Sequence, residues 1–310
     1  MPVLSLRLQI ALAFLSIYTI WGSTYLAIRF AIETFPPFLM AAIRFLIAGG
    51  VLYAWMHLRG AQRPTRANWK AAVIIGGLLL LGGNGGVTKA EQVIPSGLTA
   101  VLITIVPIWM ALVELLQKDR VVPTPQVVLG LVLGFGGVVL LVGPGGLAGS
   151  GGLNPLWVGI LLFASLSWAI GSVYSRKAAL PKTPLLGSGM EMLAGGVLLL
   201  VVSLVSQEWV GFQPSNVSFL SLVSFLYLIV FGSLIAFSSY VWLLTKTTTA
   251  RASTYAYVNP VVAVFLGYFL AGEQLTLRTL LASSMIVIAV VVITTYKSRQ
   301  TVSAKDVSES

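Results

Sequence analysis

Ala48-Gly49-Gly50-Val51-Leu52 recurs unchanged as Ala194-Gly195-Gly196-Val197-Leu198, about 146 residues further along the chain. Two other matches keep nearly the same separation. Gly22-Ser23-Thr24-Tyr25 is echoed by Gly171-Ser172-Val173-Tyr174 about 149 residues on, and Ile105-Val106-Pro107 by Val258-Asn259-Pro260 about 153 on. Three matches in the same order mark an internal duplication. Each copy lies in apolar sequence: of 310 residues, 57% are hydrophobic and 9% charged, more apolar surface than a soluble domain can bury. The chain therefore reads as an integral membrane protein. In hydrocarbon only a helix or a closed barrel satisfies its own backbone, and a helix needs roughly 20 apolar residues to cross.

Segmenting on that length predicts ten spans, at about 8–29, 37–57, 69–88, 95–117, 125–142, 155–175, 185–206, 217–243, 251–271 and 277–296. Prolines punctuate the gaps, at Pro36-Pro37, Pro64, Pro123, Pro125, Pro144 and Pro155. Five spans fall in each copy. Because five is odd, the second copy enters the bilayer from the opposite side, so the expected fold is all-α, two inverted five-helix repeats at 8–142 and 155–296. Such a pair lets one central cavity open to either side in turn. Residues 297–310 are polar and are expected to form a disordered cytoplasmic tail.

With the amino terminus cytoplasmic, fifteen Lys and Arg residues fall in inside segments. Three fall outside, namely Arg29, Lys89 and Arg278, and Arg44 lies within a helix. That bias places both termini in the cytoplasm. Glu33, Glu91, Glu208 and Glu273 are assigned to outer loops. The net charge of +10 is scattered between apolar runs instead of clustered on one face, so no nucleic-acid partner is indicated. The chain has no cysteine, which excludes disulfides, thiolate metal sites and a cysteine nucleophile. The first apolar run is longer than a signal-peptide core and is read as a retained span. The single histidine, His57, lies among arginines at the end of the second span. No cluster for an intramembrane enzyme exists, no Walker lysine or other cofactor motif is present, and the loops are too short for a receptor domain.

Charges inside spans come first among candidate residues, since one at mid-bilayer costs about 2.5 to 3.5 kcal/mol on insertion scales. Arg44 lies roughly 10 Å from the outer end of its helix at 1.5 Å per residue, and Glu191 at similar depth from the inner end of span seven, near the repeat-related position. Each either contacts substrate or gates a mouth, or snorkels toward a neighbouring carbonyl. Glu114 and Lys118, at i and i+4, read as a surface pair. Tyr18, Trp21 and Tyr25 share a face of span one, and Ser165, Trp168, Ser172 and Ser175 share a face of span six. Such aromatic and hydroxyl stripes either line a pocket for amphipathic solutes or anchor and pack helices. Tyr174, Tyr255 and Tyr257 join the candidate lining, with Asn84 among the glycines 82–86 and Asn259 beside Pro260. Pro107 and Pro260 form a matched pair of candidate hinges, and the glycines around Asn84 permit local unwinding of span three. Gly130-xxx-Gly134 on span five packs on a neighbouring helix or on a homodimer partner.

Taken in order, these motifs resemble the drug/metabolite transporter superfamily, its EamA family, and within it the YedA-type branch of bacterial exporters. The resemblance runs from about Ile17 to Ile293. It is carried in the first half by Trp21-Gly22-Ser23-Thr24-Tyr25, Ala42-Ile43-Arg44-Phe45, and Ala90-Glu91-Gln92 through Val93-Ile94-Pro95-Ser96-Gly97 to Val106-Pro107. In the second half it rests on Ser167-Trp168-Ala169-Ile170-Gly171-Ser172-Val173-Tyr174, Glu191-Met192-Leu193-Ala194-Gly195-Gly196 and Thr254-Tyr255-Ala256-Tyr257-Val258-Asn259-Pro260. It implies a bacterial inner-membrane protein with ten helices and both termini inside. The first four helices of each half would surround a cavity, with helices five and ten packed outside. The implied activity is export or facilitated passage of amino acids and other small metabolites. Lys89 departs from the branch, where that position tends to be apolar.

Overall fold

The computed structural model describes residues 5–117, 122–147, 154–271 and 277–295, and among these the only regular structure is helical. Helix α1 is Leu6–Ala31, α2 is Pro37–Leu58, α3 is Arg66–Ala90 and α4 is Ser96–Leu115. Then come α5 at Pro125–Leu147, α6 at Pro155–Ser175, α7 at Pro184–Val205 and α8 at Phe219–Lys246. Helix α9 is in two pieces, Thr249–Ala252 and Tyr255–Ala271, and α10 is Leu277–Thr295. Among the described residues seven of these, α1 to α4 and α6 to α8, are long and apolar enough to cross a membrane; Pro125–Leu140 and Leu280–Thr294 are shorter apolar stretches. Start signals are local: Pro at the first position opens α2, α5, α6 and α7, where its missing N–H costs nothing. Thr65 and Asn68 close a reciprocal capping box on α3. Large apolar side chains such as Leu12, Ile47, Val51, Phe163 and Val201 face outward, as lipid-facing surfaces require.

The duplicated motif is the seam between halves. A Cβ on Gly49 would lie 2.7 Å from the Leu193 nitrogen and 2.8 Å from the Gly189 carbonyl oxygen. On Gly196 it would lie 3.0 Å from the Leu46 nitrogen, and on Gly189 3.1 Å from the Tyr53 nitrogen. Residue numbers rise along α2 as they fall along α7, so these two helices, which carry the identical motif, run antiparallel with their backbones in contact. Small residues make that approach possible. Helices α5 and α10 are also antiparallel: Gly130 meets Ile293, and Gly137 meets Ile286. Gly134 is filled by the Tyr257 ring, so the Gly130-xxx-Gly134 pair is occupied within the chain. The remaining contacts are reciprocal, with α1 on α8 and α9, and α6 on α3 and α4.

Two irregularities also come in matched pairs. Within α3, Gly76–Gly85 is π-helical, and within α8 Leu228–Phe237 is, 152 residues on and of the same length. The expected loosening near Asn84 is therefore a defined ten-residue π segment with a twin that sequence reading missed. Helix α4 is interrupted at Thr104–Ile105 and α9 at Ser253–Thr254. At each break a threonine hydroxyl donates to the carbonyl three residues back, Thr104 to Val101 at 2.6 Å and Thr254 to Arg251 at 2.7 Å. The interruptions thus precede the prolines. Pro107 is the second residue of its resumed helix, where proline fits, and Pro260 lies inside its helix, six residues beyond the break.

Several sequence expectations need correction. Glu91 lies in the turn after α3, where the loop assignment put it, but is fully buried. Its carbonyl accepts from Arg29 Nη1 at 2.7 Å, while neither carboxyl oxygen has a hydrogen-bond partner. Burial pushes the Glu91 carboxyl well above the usual carboxylate range, opposed in part by the Arg29 charge. Glu208 accepts from the backbone N–H groups of Phe38 and Leu39, capping α2 where Pro36 offers no side-chain cap, and pairs with Lys89 at 3.5 Å. The charge at Lys89 thereby finds its counterion. Glu114 accepts from the Thr249 hydroxyl, tying α4 to the first piece of α9, because its side chain faces that helix. Lys118, Glu273 and the tail 297–310 lie outside the described residues.

Candidate functional site

Between the halves lies a cavity enclosing about 630 Å³ of atom-free space, part of it open to the outside. Its wall draws on α1, α2, α3 and α4 from the first half and on α6, α8 and α9 from the second. Helices α5, α7 and α10 contribute no lining residue among those described. For α7 the reason is its position: it is packed against α2 on one side and the π segment of α3 on the other.

Of the eleven candidates, the structure brings seven to this wall: Trp21, Tyr25, Arg44 and Asn84 from the first half, Trp168, Tyr255 and Asn259 from the second. Helical phase explains who is in and who is out. Trp21 and Tyr25, or Tyr255 and Asn259, are four residues apart and point the same way. Tyr257 is two residues from Tyr255, on the opposite face, where its hydroxyl donates to the Leu131 carbonyl at 3.4 Å. Tyr174 is six residues from Trp168, about 120° round the helix, and is 37% exposed on the outer surface. Ser172 sits one turn behind Trp168 and shares a 2.7 Å hydrogen bond with the Tyr240 hydroxyl, so it supports the wall from behind. Glu191 is fully buried on α7 and away from the cavity, with neither carboxyl oxygen hydrogen-bonded. At the repeat spacing of α2 and α7, Arg44 corresponds to Met190 rather than Glu191, and one residue rotates a side chain by 100°.

The aromatic part of the wall is one cluster. Trp21 meets Trp168 edge-on with centroids 5.6 Å apart, Tyr255 at 4.7 Å and Tyr240 at 5.1 Å. Trp168 Nε1 donates to the Tyr240 hydroxyl at 3.1 Å, and Trp21 Nε1 donates to the Gly232 carbonyl in the π segment of α8 at 3.3 Å. The opposite half reciprocates, since the Ser167 hydroxyl of α6 donates to Leu78 in the π segment of α3 at 2.7 Å. The wider π turn exposes carbonyls for such cross-half bonds. One layer further, the Tyr18 hydroxyl is 2.6 Å from that of Thr254 at the break in α9.

The polar part is sparse. Arg44 is 3% exposed; its Nε donates to Ser233 Oγ at 2.8 Å, its guanidinium lies 4.7 Å from the Phe45 ring centroid, and Nη1 has no partner. Asn259 is 1% exposed, and its side-chain amide lies beside the Tyr25 hydroxyl in a looser contact than the bonds above. Sequence reasoning missed Gly232, Ser233, Phe237 and Tyr240, all on α8. Projecting the Asn84 segment forward by the repeat spacing would have pointed there.

The family model described as the EamA-like transporter family matches this chain twice, over residues 8–143 and 155–295. The chain belongs to that family. Like other EamA members it is a multi-pass membrane transporter and not an enzyme. It is 42% identical over 283 residues to the uncharacterized inner membrane transporter YedA of Escherichia coli K12, covering 91% of this chain and 89% of that one. It is 26% identical to the uncharacterized transporter YoaV of Bacillus subtilis, covering 90% and 94%. A solved crystal structure shares the EamA chain's fold at a TM-score of 0.73 and 23% identity, covering 94% of this chain and 97% of that one.

Proposed function

We propose that this protein exports small metabolites, amino acids or amphipathic drug-like solutes, across the bacterial inner membrane by alternating access. In this reading two repeats, 8–142 and 155–296, cross the bilayer five times each in opposite orientation, with both termini and the tail 297–310 cytoplasmic. The observation that carries it is the cavity walled jointly by both halves, whose motif-bearing helices α2 and α7 run antiparallel. Inverted repeats around a shared cavity supply two ways to close it, related by a pseudo-two-fold axis in the membrane plane. The matched π segments and the matched breaks in α4 and α9 are the places where helices can change length or angle at low cost, because fewer regular backbone bonds must be broken there. The wall joins an aromatic surface for apolar groups to Arg44, Asn84 and Asn259 for polar ones, and these seven lining residues are the proposed substrate contacts.

A second reading, an uncoupled facilitator, is favoured by one observation: no carboxylate lines the cavity among the described residues. A proton-coupled carrier wants a titratable group there. Reconstituted protein should release preloaded amino acids faster than empty liposomes, with at least a tenfold loss in Trp21→Ala. Overexpressing cells should tolerate toxic amino-acid analogues better. Flux equal to empty liposomes for every solute tried contradicts the transport reading, and proton uptake that follows substrate addition contradicts the uncoupled one.

A further inference from the structure

We infer that Arg44 anchors a carboxylate, so that the solutes carried are those with one carboxylate on an apolar or aromatic body. This deepens the transport reading above and rests on it.

Among the described residues, Arg44 is the one charged side chain in the cavity wall. A guanidinium taken out of water ordinarily pairs with an acid. Lys89 pairs with Glu208, whereas among the described residues no carboxylate reaches Arg44. Of five N–H donors on the guanidinium, Ser233 receives one, and Nη1 is left buried with no partner. The surroundings hold the group in place. Ser233 fixes Nε, the Phe45 ring lies beside the plane, and Gly232 leaves room that a Cβ would close, since it would stand 2.8 Å from Nη2. A guanidinium fixed in that way presents a planar fork of donors, the geometry that carboxylates accept.

A second polar group points the same way. Asn259 stands in the same wall but on the other half of the chain, 1% exposed, with its amide beside the Tyr25 hydroxyl. Polar groups facing one cavity from opposite halves are placed for a polar ligand that touches both. Charge chooses among ligands. A phosphate group carries close to two charges at neutral pH and calls for further cations. Among the described residues the wall offers a single one, which matches a singly charged carboxylate. A cationic amphiphile meets Arg44 and no compensating acid. The rest of the solute meets Trp21, Trp168, Tyr255 and Phe237, flat surfaces suited to an apolar or aromatic body.

The test uses the full chain purified in detergent and four radiolabelled probes of similar size: 3-phenylpropionate, phenylalanine, 3-phenylpropanamide and phenethylamine. Equilibrium dialysis gives their affinities, and proteoliposomes give phenylalanine flux. The acid and the amino acid should bind at least tenfold more tightly than the amide and the amine. Arg44→Gln should abolish that preference, and Arg44→Lys, which keeps the charge without the fork, should retain part of it. Ser233→Ala keeps Arg44 but frees Nε, and should weaken the preference severalfold. If Arg44→Gln does not fold, Ser233→Ala decides, and an unchanged preference there overturns the inference. Equal binding of acid and amide by the unaltered protein, or a preference that survives in Arg44→Gln, overturns the anchor while phenylalanine flux keeps the transport reading standing. No binding and no flux of any probe overturns both.

Discussion

Replacing Gly49 by alanine tests the seam between the halves, and the structure supplies its own control one residue away. A Cβ at Gly49 would sit 2.7 Å from the Leu193 nitrogen, 2.8 Å from the Gly189 oxygen and 2.9 Å from Met192 Cβ. Two of these are backbone atoms of α7, so relief requires the helices to move apart by several tenths of an ångström. Overpacking of that kind costs about 1 to 3 kcal/mol. At Gly50 a Cβ would meet nothing within 4 Å. Both substitutions gain the same helix propensity, about 1 kcal/mol for glycine to alanine. The gain cancels in the comparison, so the two variants should differ by about 1 to 3 kcal/mol, with Gly50→Ala equal to or more stable than the parent. Unfolding of the purified protein in mixed micelles, followed by tryptophan fluorescence, measures both. If Gly49→Ala proves as stable as Gly50→Ala, the backbone contact between α2 and α7 is not there, and the antiparallel seam fails with it.

Glu91 gives a pH dependence. Its carboxyl is held above the usual carboxylate range, so between the unfolded and folded values the folded chain binds more protons, and stability falls as pH rises through that window, by up to about 1.4 kcal/mol per unit. Glu91→Gln should flatten the fall in thermal stability as pH rises above the ordinary carboxylate range; an unchanged slope contradicts the assignment. Tyr240→Phe removes the acceptor of Trp168 Nε1 and the partner of Ser172. Losing this bond to the part-buried indole N–H should cost about 1 kcal/mol. It should also raise the KM for transported solute more than it lowers the maximal rate, because the Trp168 ring loses its orientation; equal melting curves and unchanged KM argue that the hydrogen bond is incidental.

The sequence made the helices and their duplication legible, because apolar run length and proline punctuation are local signals. Span ends agree with the structure to within a few residues for α1, α2, α6 and α7. The cavity was legible wherever a candidate could be phased against a neighbour on the same helix, as with Trp21 and Tyr25. It was not where phase was ignored: Tyr174 and Tyr257 follow true lining residues in sequence but sit on other faces of their helices. Glu191 misled for a related reason, since a one-residue offset in the repeat alignment turned it away from the position of Arg44. The π segment of α8 left no compositional trace beyond Gly232-Ser233 in an apolar run, and the burial of Glu91 depends on how helices from both halves close over the end of α3. Those are tertiary outcomes that no local pattern encodes.

In the proposed transport cycle one cavity, shared by the two halves, opens to each side of the membrane in turn. The chain has no native cysteine, so a single one can be placed without background. Thr24 lines the cavity and Ile47 faces outward. An impermeant methanethiosulfonate reagent should modify Thr24→Cys both in right-side-out and in inside-out vesicles, and Ile47→Cys in neither. Modification of Thr24→Cys from one side alone, at every substrate concentration, would contradict the account.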